Sequence, residues 1–221
     1  MPSKDDFTLK VKNKCKKLGL DVFGFADPNN YQKYKDYPEW NRPEKFLPHL
    51  KTVIVVGIHL DDIILDTWFQ SSNGNYQFAD MIIENKCYKL KEFLIDKGYA
   101  AEIISYTPGL FLKDSAALAG IGPIGKHNLL ITKEFGSQVR LRALVTDAPL
   151  ICGEPVIESD FCKNCDLCIK ACPVDALKGG KYNKSLCETY QLNNLKKLSN
   201  HSSIWCNLCI KACPIGSENR K

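Results

Sequence analysis

Apolar residues return at helical intervals in residues 7–18, where Phe7, Val11, Cys15 and Leu18 fall on one face and Gly19 follows as a stop. A short strand is predicted over Asp21–Ala26. Tyr31–Pro48, with three prolines among aromatic and charged residues, reads as a loop. Thr52–Ile58 is a continuous apolar run, the pattern of a strand covered on both faces. After a turn-rich break at Gln70–Asn75, a long amphipathic helix is expected over Phe78–Lys97, with Ile82, Leu90 and Leu94 inward and Gly98 beyond its end. A strand at Ala101–Ser105 and a helix at Leu112–Ala119 follow, then a strand pair formed by Leu129–Thr132 and Val139–Thr146. Buried strands alternating with helices predict an α/β (α+β) layer architecture. Pro149, Gly153 and Pro155 mark the junction, giving an α/β domain over 1–150 and a second domain over 151–221.

Composition changes the picture at one place. Of the 11 cysteines, only Cys15, Cys87 and Cys152 precede position 160; the other eight crowd into 162–213. The polar N-terminus does not resemble a secretory signal, and no apolar run approaches the ~20 residues of a membrane span. A cytoplasmic protein without membrane contact is expected, and in a reducing compartment such cysteines indicate metal binding rather than disulfides. Cys15 and Cys87 lie on apolar helix faces and read as small hydrophobes; Cys152 is taken as inert. The net charge of +5 is spread over lysine-rich helix faces, as solvated surface would be.

The tail is an internal repeat. Cys165-Asp-Leu-Cys168-Ile-Lys-Ala-Cys172-Pro173 returns almost letter for letter as Cys206-Asn-Leu-Cys209-Ile-Lys-Ala-Cys213-Pro214. With Cys162, the first copy completes the C-x2-C-x2-C-x3-C-P run of bacterial [4Fe–4S] proteins, in which the fourth cysteine serves the other cluster. In the second copy Ser203 stands where the first cysteine would recur, and Cys187 is available upstream. Two [4Fe–4S] clusters are therefore expected, one on Cys162, Cys165, Cys168 and Cys213, the other on Cys172, Cys187, Cys206 and Cys209. Zinc also uses C-x2-C pairs, but does not need the third cysteine or the repeated Cys-Pro.

Gly120-Ile-Gly122-Pro-Ile-Gly125 fits G-x-G-x-x-G, yet a helix rather than a strand precedes it and Pro123 interrupts it, which disfavours a dinucleotide site. The longer segment Lys113–Leu130, with Gly136-Ser137, Leu141–Thr146, the upstream Pro43–Gly57 and the downstream cysteine motifs, resembles epoxyqueuosine reductase over residues 8–216. That family and the reductive dehalogenases share a plan. The resemblance implies a nitroreductase-like corrinoid-type domain followed by a two-[4Fe–4S] ferredoxin domain, with the clusters reducing a bound cobalamin. It makes Gly120, Gly122, Gly125, Lys126 and His127 candidate cofactor contacts, and by gap-free counting it makes Tyr106 the candidate proton donor where the family has an aspartate. Pro123 replaces a family tryptophan. The sequence stops near the point where epoxyqueuosine reductases continue into helical repeats that help hold tRNA, so tRNA is not the expected partner. Expected partners are a low-potential ferredoxin or flavodoxin and, in one reading, a corrinoid protein, in an anaerobic setting. The alternatives are a ferredoxin-like donor or reductive activator of a corrinoid enzyme, without substrate chemistry of its own, and a flavin-binding variant.

Overall fold

The computed structural model describes residues 3–34, 42–72, 74–106 and 108–219. Part of the loop expected at Tyr31–Pro48 and one position of the break at Gln70–Asn75 lie outside the described residues. The chain divides into two compact units, each assembled from separate stretches: 1–58, 82–123 and 140–157 in one, 59–81, 124–139 and 158–221 in the other. This is a division by packing, a different matter from the cofactor and ferredoxin domains expected along the chain.

In the first unit, α1 (Lys4–Lys17) starts at Ser3, whose hydroxyl accepts the Asp6 N–H, and buries Phe7, Val11 and Cys15 as its spacing requires. Strands β1 (Val22–Ala26), β2 (Thr52–His59), β5 (Ala101–Ile104) and β6 (Val139–Thr146) form a sheet in the order β1-β2-β6-β5, with both outer strands antiparallel to their neighbours. The centre is dry: Val53, Ile54, Val55 and Val56 are at 0% exposure. Leu129–Thr132 is not a partner of β6. Its residues make only isolated bridges, Ile124 with Leu130 and Thr132 with Gly136, while β6 is taken up by β2 and β5.

The long helix α3 (Phe78–Asp96) forms as expected, with Leu90 and Leu94 fully buried; Ile83 and Cys87 complete its inner face, whereas Ile82 is 39% exposed. Those four positions follow the i, i+4, i+7, i+11 progression of one helical face. Cys15 and Cys87 are both inside, and burial pushes each thiol up to about 12. Helix α4 (Leu112–Leu118) ends at Gly120, whose φ of +75° suits glycine and where a Cβ would meet the Glu154 carbonyl oxygen at 2.9 Å.

In the second unit the break near Gln70 is a hairpin. After the single turn α2 (Ile63–Asp66), β3 (Trp68–Ser71) and β4 (Gly74–Gln77) pair antiparallel, and β7 (Lys196–Ser199) and β8 (Ser202–Ile204) extend them into a sheet ordered β4-β3-β8-β7. The remaining helices are short: α5 (Leu167–Lys170), α6 (Lys184–Asn193) and α7 (Leu208–Ala212). No helix among the described residues is long and apolar enough to cross a membrane.

Candidate metal centre

The two cysteine repeats fold alike. Asp166 and Asn207, which precede α5 and α7, have nearly the same backbone, φ/ψ −126°/18° and −128°/20°. The Lys170 N–H reaches the Asp166 carbonyl at 3.0 Å, and Lys211 reaches Asn207 at 2.9 Å; Cys172 donates to Ile169 at 3.2 Å, and Cys213 to Ile210 at 3.1 Å. Before the first copy, a 3-10 turn at Asp160–Cys162 and the Cys165 N–H on the Cys162 carbonyl, 3.3 Å, curl the chain so that successive cysteines face one space. Helices α5 and α7 lie against each other. The second copy cannot begin in the same way: the place of a first cysteine is Ser203, buried within β8 and paired with Trp68 and Lys197.

The thiols gather into two sets. Cys162, Cys165, Cys168 and Cys213 line one cavity, closed by apolar side chains including Ile131, Phe161 and Ile215. The Cys168 thiol is pushed up by burial and then by its neighbours Cys162, Cys165 and Cys213. In the other set burial raises Cys209 to about 12, with Cys206 and Cys187 adding to it; burial also raises Cys187, with Cys172 and Cys206 acting in the same direction. Crowded thiols that raise one another are donor sets for metal, and binding iron would release their protons. Among the described residues no three His, Cys, Asp or Glu side chains converge on a point suited to a single ion. A [4Fe–4S] cube asks for something else, one thiolate per iron spread around a space, and the four cysteines of the lined cavity suit that.

The glycine segment borders the first set. Lys126 Nζ donates to Asp166 Oδ1 at 2.8 Å, an ion pair that raises the lysine and lowers the aspartate. His127 is buried and lines the cysteine cavity. Its Nδ1 accepts the Leu129 N–H at 3.2 Å, which leaves the proton on Nε2, 3.1 Å from Ser137 Oγ; that hydroxyl in turn donates to the Leu130 carbonyl at 2.6 Å. Burial lowers His127 to about 4, so the ring is neutral at pH 7. At Gly125 a Cβ would stand 2.6 Å from Ile131 Cδ1 and 2.8 Å from His127 Cε1, so the bare backbone lets the ring pack here. Gly120 and Gly122 belong to the other unit; Gly122 is buried.

Tyr106, also in the first unit, is 37% exposed. Its hydroxyl donates to the Leu141 carbonyl at 3.2 Å, and its ring carries the Arg142 guanidinium at 3.7 Å and that of Arg140 at 5.1 Å. Arg142 also reaches Glu84 at 3.0 Å.

The family described as "4Fe-4S binding domain" matches residues 155–178, a span that contains the first cysteine motif. The epoxyqueuosine reductase of Bacillus cereus is 27% identical over 204 residues, covering 78% of this chain and 53% of that protein. The tetrachloroethene reductive dehalogenase of Dehalobacter restrictus is 31% identical over 173 residues, 76% of this chain and 29% of the relative. Among solved structures, epoxyqueuosine reductase from Bacillus subtilis superposes with a TM-score of 0.74 at 20% identity, over 98% of this chain and 67% of that one. A reductive dehalogenase structure described in terms of B12-dependent dehalogenation gives 0.68 at 17% identity, over 99% and 34%. The chain belongs to an epoxyqueuosine reductase-like iron–sulfur family related to the reductive dehalogenases. It spans about half or less of the length of these two curated relatives.

The fold is thus the mixed α/β arrangement of epoxyqueuosine reductase with a ferredoxin-like, [4Fe–4S]-binding segment. Within this family frame, the partners of the candidate residues were not legible from motifs. Asp166 is an unremarked position between two cysteines, and Ser137 lies ten residues from the histidine it contacts. Arg140 and Arg142 carried a readable signal, since alternate residues of a strand share a face. Gln191 carried another, four residues beyond Cys187 and so one turn away once α6 forms.

Proposed function

We propose that this protein is an iron–sulfur oxidoreductase that passes single electrons through two [4Fe–4S] clusters to a bound corrinoid, for a reductive reaction. The observation that carries this reading is that the cavity of the first cysteine set is walled by His127, from the glycine segment to which the family resemblance assigns the cofactor, and by Ile131 just beyond it. The first cluster would lie on Cys162, Cys165, Cys168 and Cys213, the second on Cys172, Cys187, Cys206 and Cys209.

Lys126 suits a ligand's phosphate or amide oxygen, because an ammonium has three N–H donors and Asp166 takes one. Gly125 lets the His127 ring pack against bare backbone, which fixes the shape of the segment that carries Lys126. Gly120 keeps the turn that leads into it. A bound corrin supplies the low-potential metal chemistry, and the protein supplies orientation and electrons. Tyr106 is the candidate proton donor, its proton held at the phenolic oxygen on the Leu141 carbonyl. The nitroreductase-like description of the sheet domain, a ferredoxin or flavodoxin as electron source, and an anaerobic cytoplasm belong to the same proposal.

Anaerobic titration of cluster-loaded protein with cob(II)alamin, followed by EPR and visible spectra, tests it. Stoichiometric binding with a base-off cobalt signal is the expected result. No binding by folded protein carrying both clusters overturns the corrinoid step and leaves an electron donor or a flavoprotein.

A further inference from the structure

Cys187 is the one ligand of the second set that neither motif copy supplies, and its surroundings differ from those of the first set. It lies in the first turns of α6, whose N-terminus is fixed by the Asn183 side chain accepting the Leu186 N–H at 3.1 Å. One turn further along, Gln191 Nε2 donates to Cys187 Sγ at 3.4 Å. Among the described residues no side chain makes a hydrogen bond to Cys162, Cys165 or Cys168; that cavity is walled by carbon-rich side chains such as Ile131, Leu167 and Ile215.

The reduced form of a cluster carries one more negative charge than the oxidised form, and part of it resides on the ligand sulfurs. Donors aimed at a sulfur therefore favour the reduced form and move the potential upward. A glutamine held one helical turn from its acceptor is a donor fixed before the electron arrives, so little reorganisation opposes it.

We propose that Gln191 raises the reduction potential of the cluster held by Cys187 through its hydrogen bond to that sulfur. This rests on the two-cluster reading. Gln191 is a positioning residue, since it acts through the ligand. In the reaction measured, one electron from dithionite reduces one cluster from the 2+ to the 1+ state, with no bond made or broken and no proton transferred.

The experiment is an anaerobic potentiometric titration of full-length, cluster-loaded protein, followed by EPR. Iron and sulfide are counted first: about eight of each per chain accords with two cubes, and about four of each overturns the two-cluster reading wherever the potentials fall. Gln191→Met and Gln191→Asn are then titrated beside the wild type. Each is expected to move the same one of the two midpoint potentials to a more negative value, while the other midpoint stays in place. If Gln191→Met loses iron, Gln191→Asn decides alone, because it keeps the amide and withdraws it from the sulfur. Full iron content with unmoved midpoints, or equal movement of both, overturns the inference.

Discussion

The central strands and the cysteine-rich stretch are held together in different ways. In β2 and β6 side chains close on one another, and Val53 through Val56, Ala143, Leu144 and Val145 are at 0% exposure. In α6 and α7 no residue is buried, and Leu186, Leu192 and Leu208 remain 47%, 61% and 42% exposed. The sheet unit thus has the apolar burial that pays the entropy of folding, while the cysteine stretch has little of it. What the stretch does have is eight thiols in two sets. A segment built in this way is closed by what it binds, as in small metal-dependent domains.

The largest break in this comparison would come from removing the iron. Anaerobic chelation should leave residues 158–219 rapidly exchanging in hydrogen–deuterium mass spectrometry, while β2 and β6 keep their protection. Equal protection of both regions after iron loss would show that the cysteine stretch folds unaided. A smaller step is Cys187→Ser, expected to lower iron content to about half, since one cube loses a ligand. Adding Ser203→Cys to that variant should not restore the iron, because Ser203 is committed to pairing with Trp68 and Lys197 in β8. Recovery would show that the strand gives way and that the motif spacing governs.

Leu90→Ala tests the other side of the comparison. Leu90 is fully buried in α3, and its truncation should cost about 2–5 kcal/mol in denaturant melts, with iron per folded chain unchanged. The last effect needs strong alkali to appear. Cys15 and Cys87 are held protonated up to about 12, above the value of 9.0 for an unperturbed thiol. Between these values the unfolded chain releases protons that the folded chain keeps, so stability is full below pH 9 and declines as pH rises toward 12. Replacing both cysteines with alanine should flatten that decline in pH-dependent melts.

Much of this was legible in the sequence for physical reasons that differ by region. β2 announces itself because both of its faces are covered, and the cysteine spacings do so because a cube limits where thiolates can begin. On α3 the inner face was legible at Cys87, Leu90 and Leu94, and only Ile82 was misassigned, its place being taken by Ile83. The β3–β4 hairpin gave no alternating pattern because most of its residues are exposed or only partly covered. The partner of Leu129–Thr132 was misread because sequence proximity suggested β6, whose neighbours are remote in the chain. Asp166, Ser137 and Gln191 act through contacts that the folded backbone creates, and only the last falls at a spacing that would have flagged it.

The most direct test of the account is Mössbauer spectroscopy of anaerobically prepared, 57Fe-loaded protein, before and after reduction with dithionite. The expected spectrum is entirely that of [4Fe–4S] iron, with about eight irons per chain and both cubes reducible by one electron. About four irons per chain, or protein that takes up zinc in place of iron, would contradict the assignment of two cubes to the eight thiols.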